Sequence, residues 1–309
     1  MTERITTPFG AQSTADEVIA GVDLTGRRAI VTGGASGLGR ETARVLASAG
    51  ADVTIAARNL DAATQAVQEI GNPNVHAARL DLADLASVAG FVESWTGPLH
   101  ILVDNAGVMA SPEQRTPEGR ELQFATNHLG HFALTVGLHD ALAAAGDARV
   151  VVLSSVGHVN GPVRFDDLDF VKEPYDPWLA YAQSKTANIL FAVEAAKRWA
   201  GDGITVNALN PGRIWETNLG RHIDAPPPTF DPSGQTGVSE KNIAQGAATS
   251  VLLAASPLVK GVTGTYFEDC QEAEPFTPGV RRGVADYALD PGNARRLWDL
   301  SVKLTGVGG

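Results

Sequence analysis

Cysteine is almost absent from this sequence, since Cys270 is the only one among 309 residues. A single cysteine cannot form a disulfide within the chain or supply a cluster of thiolate metal ligands, and it is typical of a reducing compartment. No apolar run approaches the roughly 18 residues that suggest a membrane span, and residues 1–20 contain no apolar signal core. We therefore expect a cytoplasmic protein with no membrane partner.

Basic residues are also in short supply, because 24 lysines and arginines face 35 aspartates and glutamates. The formal net charge is -11, and no basic stretch could follow a phosphate backbone, so we do not expect nucleic acid as a partner. Hydrophobic residues make up 44% of the chain, a share that is typical of a globular protein with a buried core.

Short apolar runs alternate along the chain with alanine- and leucine-rich helical stretches. Strands are predicted at 28–32, 52–57, 75–80, 101–103, 150–153, 205–209 and 264–268, and helices from the glycine-rich loop to about 49 and at 59–69, 84–95, 119–145, 177–200 and 242–255. The runs are continuously apolar, which is typical of parallel strands covered on both faces. The pattern predicts an α/β fold: one Rossmann-type doubly wound parallel sheet of about seven strands, with helices on both faces.

The chain divides into a short lead-in and one large unit. Residues 1–26 are predicted as a lead-in with a short helix near 13–20, and residues 27–309 as a single domain. Two long loops, at about 157–178 and 212–240, follow the carboxyl ends of strands. Because ligands of such sheets bind beyond those ends, and long loops in a compact domain are usually functional, we expect both loops to border the active site.

A glycine-rich loop joins the first strand to its helix and predicts a dinucleotide site. Gly33 permits a tight turn, Gly37 lets the backbone approach a pyrophosphate, and Gly39 lets the helix pack closely against the sheet. Ser36 and Leu38 complete the loop. The helix N-terminus then presents free N–H groups to the phosphates.

The end of the second strand decides between the two nicotinamide cofactors. An acidic residue there would bind the ribose 2′-hydroxyl of NAD, but residues 56–59 read Ala-Ala-Arg-Asn. Arg58 can bind a 2′-phosphate through charge-assisted hydrogen bonds. We therefore favour NADP(H), with NAD(H) as the alternative if Arg58 is only a solvated surface residue.

Tyr181 and Lys185 lie four residues apart in a predicted helix and so share one face. An ammonium beside a phenol favours the phenolate, so we expect Lys185 to lower the pKa of Tyr181 from its ordinary value of about 10. A tyrosine activated in this way can act as a general acid or base. With the dinucleotide loop upstream, the pair predicts hydride transfer coupled to proton transfer to or from a substrate oxygen.

From about residue 23 to 268 the chain resembles the classical short-chain dehydrogenase/reductase family. The resemblance rests on a TGxxxGxG loop at 32–39, on Asp81 with Leu82 after the third strand, on Asp104-Asn105-Ala106-Gly107 in place of the family's NNAG, and on Pro211-Gly212 with Thr217. It implies cofactor contacts from Asp81, Leu82, Asn105, Ala106, Gly107, Pro211, Gly212 and Thr217, in addition to Tyr181 and Lys185. Asp104 departs from the family's first asparagine.

The resemblance also assigns catalytic roles. It implies that Ser155 orients the substrate oxygen, with neighbouring Ser154 as the alternative, and that Lys185 binds the nicotinamide ribose. It implies that Asn127 holds a water leading to Lys185, the alternative being an amide bonded only to the backbone. We expect no metal site at His128, His131 or His158, since no carboxylate completes a zinc signature.

Within that family the sequence is similar to the retinol-dehydrogenase-like and WW-domain-oxidoreductase-like branch, through residues 127–132 and 154–158 and the long spacing from Ser155 to Tyr181. The resemblance implies NADP(H)-dependent interconversion of a carbonyl and an alcohol on a small molecule. Loop aromatics predict an apolar substrate if they line the pocket, and otherwise only hold the loops: Phe165, Phe170, Tyr175, Trp178 and Trp215. Asp166, Asp167 and Asp169 favour a bulky or neutral substrate over an anionic one, the alternative being that they are only solvated.

Other readings of the sequence remain open. A cofactor-binding regulatory protein without turnover is one, and a C=C reductase or epimerase on the same fold is another. Classical relatives often pair through the helices at 119–145 and 177–200, so the resemblance also implies a homodimer or homotetramer as the alternative to a monomer.

Overall fold

The computed structural model describes residues 4–220, 237 and 239–308, and an eight-stranded sheet runs through the centre of this part of the chain. The strands are β1 (Arg28–Thr32), β2 (Asp52–Ala57), β3 (Val75–Arg79), β4 (Ile101–Asp104), β5 (Ala148–Leu153), β6 (Ile204–Asn210), β7 (Tyr266–Glu268) and β8 (Gln271–Glu272). Their spatial order is β3-β2-β1-β4-β5-β6-β7-β8. The strand order therefore reverses between β1 and β4, the point where doubly wound sheets bind ligands.

The predicted parallel, doubly wound sheet is confirmed for β1 to β7. Val31 pairs in parallel with Ile55 on one side and with Val103 on the other. The eighth strand differs, because β8 pairs antiparallel with β7 through Phe267 and Glu272. Two residues are too short a run to show any hydrophobic period, so the sequence did not indicate this edge strand.

The helices cover both faces of the sheet, and most begin at a side-chain cap. They are α1 (Ala15–Ile19), α2 (Gly37–Ser48), α3 (Leu60–Ile70), α4 (Leu85–Ser94), α5 (Leu122–Phe124), α6 (Gly130–Gly137), α7 (His139–Ala143), α8 (Pro177–Arg198), α9 (Ile243–Ala255), α10 (Asp286–Leu289) and α11 (Pro291–Thr305). Asn59, Asp84 and Asp176 each accept hydrogen bonds from first-turn N–H groups of α3, α4 and α8. None of the helices in the described residues is long and apolar enough to cross a bilayer.

The helical region predicted at 119–145 is divided rather than continuous. A π-turn at Ala125–Leu129 joins α5 to α6, and Leu138 separates α6 from α7. Gly130 allows α6 to lie against the backbone after β3, because a Cβ at that position would stand 2.2 Å from the Leu82 carbonyl oxygen. Such π-turns often mark functional positions, and this one contains Asn127.

Two elements outside the alternating strands and helices of the sheet complete the core. The C-terminal helix α11, which no motif predicted, packs on α8, and Trp298 stacks on Phe191 with ring centroids 5.9 Å apart. The lead-in lies against the sheet edge, where Ile5 N–H donates to Glu272 Oε2 at 2.8 Å. Its helix α1 packs on α9.

The two loops predicted to border the active site differ in how much of them can be described. The loop after β5 is described throughout, and it begins with a 3₁₀ turn at Val156–Asn160. Of the loop predicted at 212–240, residues 221–236 and 238 lie outside the described residues.

Candidate active site

A cavity of about 700 Å³ opens at the carboxyl ends of the strands, around the point where the strand order reverses. Its walls contain 17 of the 18 predicted site residues: Gly33, Ser36, Gly37, Leu38, Gly39, Arg58, Asp81, Leu82, Asn105, Ala106, Gly107, Ser155, Tyr181, Lys185, Pro211, Gly212 and Thr217. The remaining one, Asn127, is fully buried behind the wall. The structure thus brings together residues that are up to 184 positions apart in the chain, from Gly33 to Thr217.

The glycine-rich loop has the shape that a dinucleotide pyrophosphate requires. Gly33 and Gly37 have positive φ angles of +67° and +53°, which favour glycine. A Cβ on Gly39 would stand 2.7 Å from the Gly33 carbonyl oxygen, so only glycine lets α2 begin this close to the loop. Ser36 precedes α2 without capping it through its side chain, so first-turn N–H groups of α2 stay available for phosphate oxygens.

Thr32 connects this loop to the residues after β4. Its Oγ1 accepts hydrogen bonds from the N–H groups of Asn105 at 2.9 Å and Ala106 at 3.0 Å. The Asn105 side chain donates to the Thr32 carbonyl oxygen at 2.8 Å. His131 Nε2 lies 2.9 Å from the same hydroxyl. Because a hydroxyl can accept two bonds while donating its own proton, we assign Thr32 as the donor to an unprotonated His131 Nε2.

Asp104, the residue that departs from the family's asparagine, is fully buried beneath this loop. One carboxyl oxygen, Oδ2, accepts a hydrogen bond from Thr135 Oγ1 at 2.7 Å, and Oδ1 has no partner among the described residues. Burial raises the pKa of Asp104 to about 8, against the opposing effect of the Thr135 hydrogen bond. The carboxyl is therefore mostly neutral at pH 7 and takes the uncharged character of the asparagine that it replaces.

Tyr181 and Lys185 lie on one face of α8, as the spacing predicts, and both side chains are buried. The Lys185 ammonium is 5.8 Å from the centre of the Tyr181 ring and donates to the Leu153 carbonyl oxygen at 3.0 Å. Gly157 is pressed against the ring, since a Cβ there would be 2.9 Å from Tyr181 Cε1. The end of β5 and the turn after it thus fix both members of the pair.

The expected fall in the Tyr181 pKa is not found in this structure. Burial raises the pKa of Tyr181 to about 12, and hydrogen bonding with Ser155 only partly opposes it. Burial also lowers the pKa of Lys185 to about 8. Desolvation of the phenolate therefore outweighs the attraction of an ammonium that lies above the ring and bonds to Leu153. Near neutral pH, Tyr181 holds its proton and is ready to donate it.

The two serines after β5 have different partners. Ser154 Oγ donates its proton to the Lys185 carbonyl oxygen at 2.8 Å, whereas Ser155 Oγ accepts from the Gly157 N–H at 3.0 Å and has its own proton directed to Tyr181, at the cavity wall. His158 holds the backbone here, because its Nδ1–H donates to the Ser155 carbonyl oxygen at 2.7 Å. These contacts favour Ser155 over Ser154 as the group that binds a substrate oxygen.

Asn127 has most of its hydrogen-bonding capacity in use. Its Oδ1 accepts from the Val108 N–H at 2.8 Å, and its Nδ2 donates to the Val108 carbonyl oxygen and to Ser184 Oγ, each at 2.9 Å. The Asn127 carbonyl oxygen accepts from His131 Nδ1 at 2.9 Å. One lone pair of Oδ1 remains, near Gly107 and the Lys185 ammonium, so the water-holding role stays a prediction.

Three of the five loop aromatics hold the loop after β5 rather than line the cavity. Phe170 packs edge-on against Tyr175 at 5.4 Å, the Tyr175 hydroxyl donates to the Ser111 carbonyl oxygen, and Phe165 lies under the Arg296 guanidinium. Trp178 and Trp215 do line the cavity. The apolar wall that the aromatics predicted is therefore made by two of them.

The acidic residues of that loop face away from the cavity and stabilise the loop. Asp167 accepts the N–H groups of residues 171–173, Asp169 pairs with Arg120 at 2.7 Å, and Asp166 pairs with Arg296 at 3.3 Å. Their predicted effect against anionic substrates has no basis in this arrangement, because none of the three lines the cavity.

The three histidines considered as metal ligands are buried and bonded to protein groups. His128 Nε2 is 2.8 Å from Ser301 Oγ, and His158 Nε2 accepts from the Ala285 N–H at 3.2 Å. Burial lowers the pKa of His128 to about 3 and those of His131 and His158 to about 4. The part of the chain that the structure describes contains no group of three His, Cys, Asp or Glu side chains able to hold a metal ion.

Sequence reasoning missed several contributors to the site. Arg281 and Asn160 line the cavity, and Arg281 Nη1 donates to Asn160 Oδ1 at 3.1 Å. Arg213 lines the same region. His131 and His158 hold the backbones of Asn127 and Ser155. The paired histidine–carbonyl contacts carry no sequence motif, and Arg281 lies in a segment with no predicted element, so no local signal could have identified them.

Comparison with known proteins supports the same conclusion as the geometry. The profile of a family described as short chain dehydrogenase matches residues 27–227. A "Probable oxidoreductase" of Streptomyces lividans is 55% identical over 299 residues, which are 93% of this chain and 100% of that protein. Retinol dehydrogenase 14 of Homo sapiens is 38% identical over 307 residues, 92% of this chain and 88% of that protein. The predicted family and its retinol-dehydrogenase-like branch are confirmed.

Solved structures share the fold. An uncharacterized protein from Mycobacterium paratuberculosis superposes with a TM-score of 0.75 at 34% identity, covering 96% of this chain and 98% of that one. A putative NAD(P)-dependent gluconate 5-dehydrogenase from Beutenbergia cavernae, with bound NADP, has a TM-score of 0.63 at 28% identity over 79% of this chain and 95% of its own. The chain therefore belongs to the short-chain dehydrogenase/reductase family, as an NAD(P)-dependent oxidoreductase that acts on CH–OH and C=O groups.

Proposed function

We propose that this protein interconverts a carbonyl and an alcohol on a small molecule with NADP(H), and that Tyr181 is its general acid and base. The proposal rests on one observation: the hydroxyl groups of Tyr181 and Ser155 line the same cavity as the glycine-rich loop. A substrate oxygen that accepts from both hydroxyls is held at the catalytic end of the same cleft. Bound NADPH would supply the hydride to the carbonyl carbon.

The protein's own groups move the proton. In the reducing direction the Tyr181 hydroxyl, protonated because its pKa is raised to about 12, donates to the oxygen as negative charge develops there. Ser155 holds that oxygen by a second hydrogen bond and so fixes its orientation. The Lys185 ammonium, with a pKa lowered to about 8, stabilises the tyrosinate that remains and can pass a proton back to it.

The preference for NADP(H) rests on Arg58. Its side chain is exposed at the end of β2 and lines the cavity, and no carboxylate of β2 lies in that wall to hold a ribose hydroxyl or repel a phosphate. We expect fluorescence titration to show tighter binding of NADPH than of NADH, and Arg58→Ala to remove that difference. Equal binding of both cofactors by the wild type would contradict the assignment, and Arg40→Ala, outside the cavity wall, is the matched control.

The catalytic role of Tyr181 has its own test. Tyr181→Phe removes the proton donor and keeps the ring that packs against Gly157, so we expect NADPH binding near the wild-type level and a fall in turnover of about a hundredfold or more. Turnover that survives this change would contradict the role. If the wild type itself reduces no carbonyl in a broad screen, the regulatory-protein alternative gains support.

Quaternary structure and location remain predictions. The helix faces predicted to pair between chains are partly occupied by α11, which packs along α8 within one chain and places Trp298 against both Phe132 and Phe191. We therefore favour a monomer over the homodimer or homotetramer of classical relatives, and light scattering during gel filtration would check this. The cytoplasmic location suggested by the lone cysteine awaits cell fractionation.

A further inference from the structure

The cavity wall beyond the catalytic residues contains two arginines, Arg213 and Arg281, that the proposed reaction does not use. Arg281 bonds to Asn160, the last residue of the 3₁₀ turn that starts directly after Ser155. At a rise of about 2 Å per residue, that turn carries Asn160 about 10 Å away from Ser155. The Arg281 guanidinium therefore lies at the far end of that turn, about 10 Å along it from Ser155, next to a segment that follows β5 rather than β1.

The charges of the cavity wall are divided between its two ends. Arg58 and Asp81 follow β2 and β3 at the cofactor end, and Lys185 lies beside Tyr181. Among the described residues of the wall, Arg213 and Arg281 are the remaining charged side chains, and both are positive. This part of the cavity is positively charged although the chain has a formal net charge of -11, and a positively charged pocket concentrates anions.

The two arginines differ in how they are compensated. Arg213 pairs with Glu240 at 3.5 Å. Within the described residues no carboxylate lies within ion-pair distance of Arg281, whose hydrogen-bond partner is the neutral Asn160 amide. Burial and the nearby charge of Arg213 both lower the pKa of Arg281. A bound anion would offset this repulsion and accept the planar pair of N–H donors that a guanidinium offers to a carboxylate.

The same cavity wall also contains apolar side chains. Met109, Val156, Trp178 and Trp215 are among the described residues that line it. We propose that Arg281, supported by Arg213, is an anion site for the substrate, which is an apolar carbonyl or alcohol compound with a carboxylate several bonds from the reacting carbon. This inference rests on the proposed function, because it names the substrate class of the same site.

The test compares one chain length with and without its charge. 7-Oxooctanoate and its methyl ester carry the same ketone on the same carbon chain, and kcat/KM is measured for each with NADPH. We expect the wild type to prefer the acid by about tenfold or more, as for a charge-assisted hydrogen bond. Arg281→Met should remove the preference, mainly by raising KM for the acid, and Arg281→Lys should restore part of it. Arg296→Met, which removes an arginine outside the cavity wall, should keep the wild-type ratio.

Two results would overturn the anion site: equal kcat/KM for acid and ester in the wild type, or a parallel loss on both substrates in Arg281→Met, which would show a purely structural role. Calorimetric titration of 7-oxooctanoate into wild type and Arg281→Met separates this inference from the reaction. If neither compound is turned over, yet the acid binds about tenfold more weakly to the variant, the proposed function fails and the anion site stands. If the acid binds both proteins alike, the anion site fails whatever the turnover.

Discussion

Replacing Asp104 by asparagine should change how the stability of the protein depends on pH. The carboxyl is fully buried, one of its oxygens has no partner in the described part of the chain, and its pKa is raised to about 8. In the unfolded chain an aspartate ionises near pH 4. Between these values the folded state binds one more proton than the unfolded state, so stability falls as pH rises. Asparagine cannot ionise, and it keeps an oxygen that can accept from Thr135.

The size of the effect follows from the proton count. The unfolded histidines are still half protonated at about pH 6.5, but they contribute equally to the wild type and the variant and cancel in the difference between them. One extra bound proton changes the unfolding free energy by about 1.4 kcal/mol per pH unit. Allowing for partial ionisation near pH 8, Asp104 should remove roughly 1 to 2 kcal/mol of unfolding free energy between pH 6.5 and 8. For 309 residues at about 2.1 cal/mol/K per residue, that loss equals about 2 °C in Tm.

Thermal unfolding followed by circular dichroism at constant ionic strength measures this directly. The difference in Tm between Asp104→Asn and the wild type should grow by about 2 °C from pH 6.5 to 8, whatever its starting value. Asp166→Asn changes the same charge on a side chain that is 87% exposed and should leave the wild-type pH dependence unchanged. Parallel curves for Asp104→Asn and the wild type would refute the assignment of a neutral, buried carboxyl.

Two further predictions follow from the packing around the catalytic residues. Gly157→Ala places a methyl group 2.9 Å from the Tyr181 ring, so kcat should fall at least about tenfold while NADPH binding is kept. The control is Gly161→Ala, whose Cβ would meet nothing closer than 3.9 Å and which should behave as wild type in steady-state kinetics. Acid should unfold the protein between pH 6.5 and 4, because the three buried histidines have folded pKa values of about 4 or below and take up protons only in the unfolded chain. His131→Asn, which keeps an N–H donor for the Asn127 carbonyl, should make the loss of stability over that range shallower by about one proton, which is about 1.4 kcal/mol per pH unit, in denaturant titrations. An unchanged slope would contradict the neutral state of His131.

The sequence alone predicted the parts of this protein that depend on local pattern. Continuous apolar runs separated by helical stretches predicted the parallel sheet because each strand must be covered on both faces. The glycines of the glycine-rich loop predicted its conformation, since positive φ angles and close backbone approach both favour glycine over other residues. The spacing of Tyr181 and Lys185 placed them on one face because an α-helix repeats every 3.6 residues.

Tertiary structure decided what depends on distant neighbours. The π-turn at Asn127 and the break at Leu138 could not be read from a helical pattern, and α11 covers α8 through aromatic contacts that carry no motif. Burial raises the pKa of Tyr181, whereas the spacing to Lys185 had predicted a lower value. The cost of desolvating a charge depends on all the groups packed around it, and these are known only from the folded structure. Arg281 reaches Asn160 across 121 positions of the chain, and only the folded sheet brings the two together at the substrate end of the cavity.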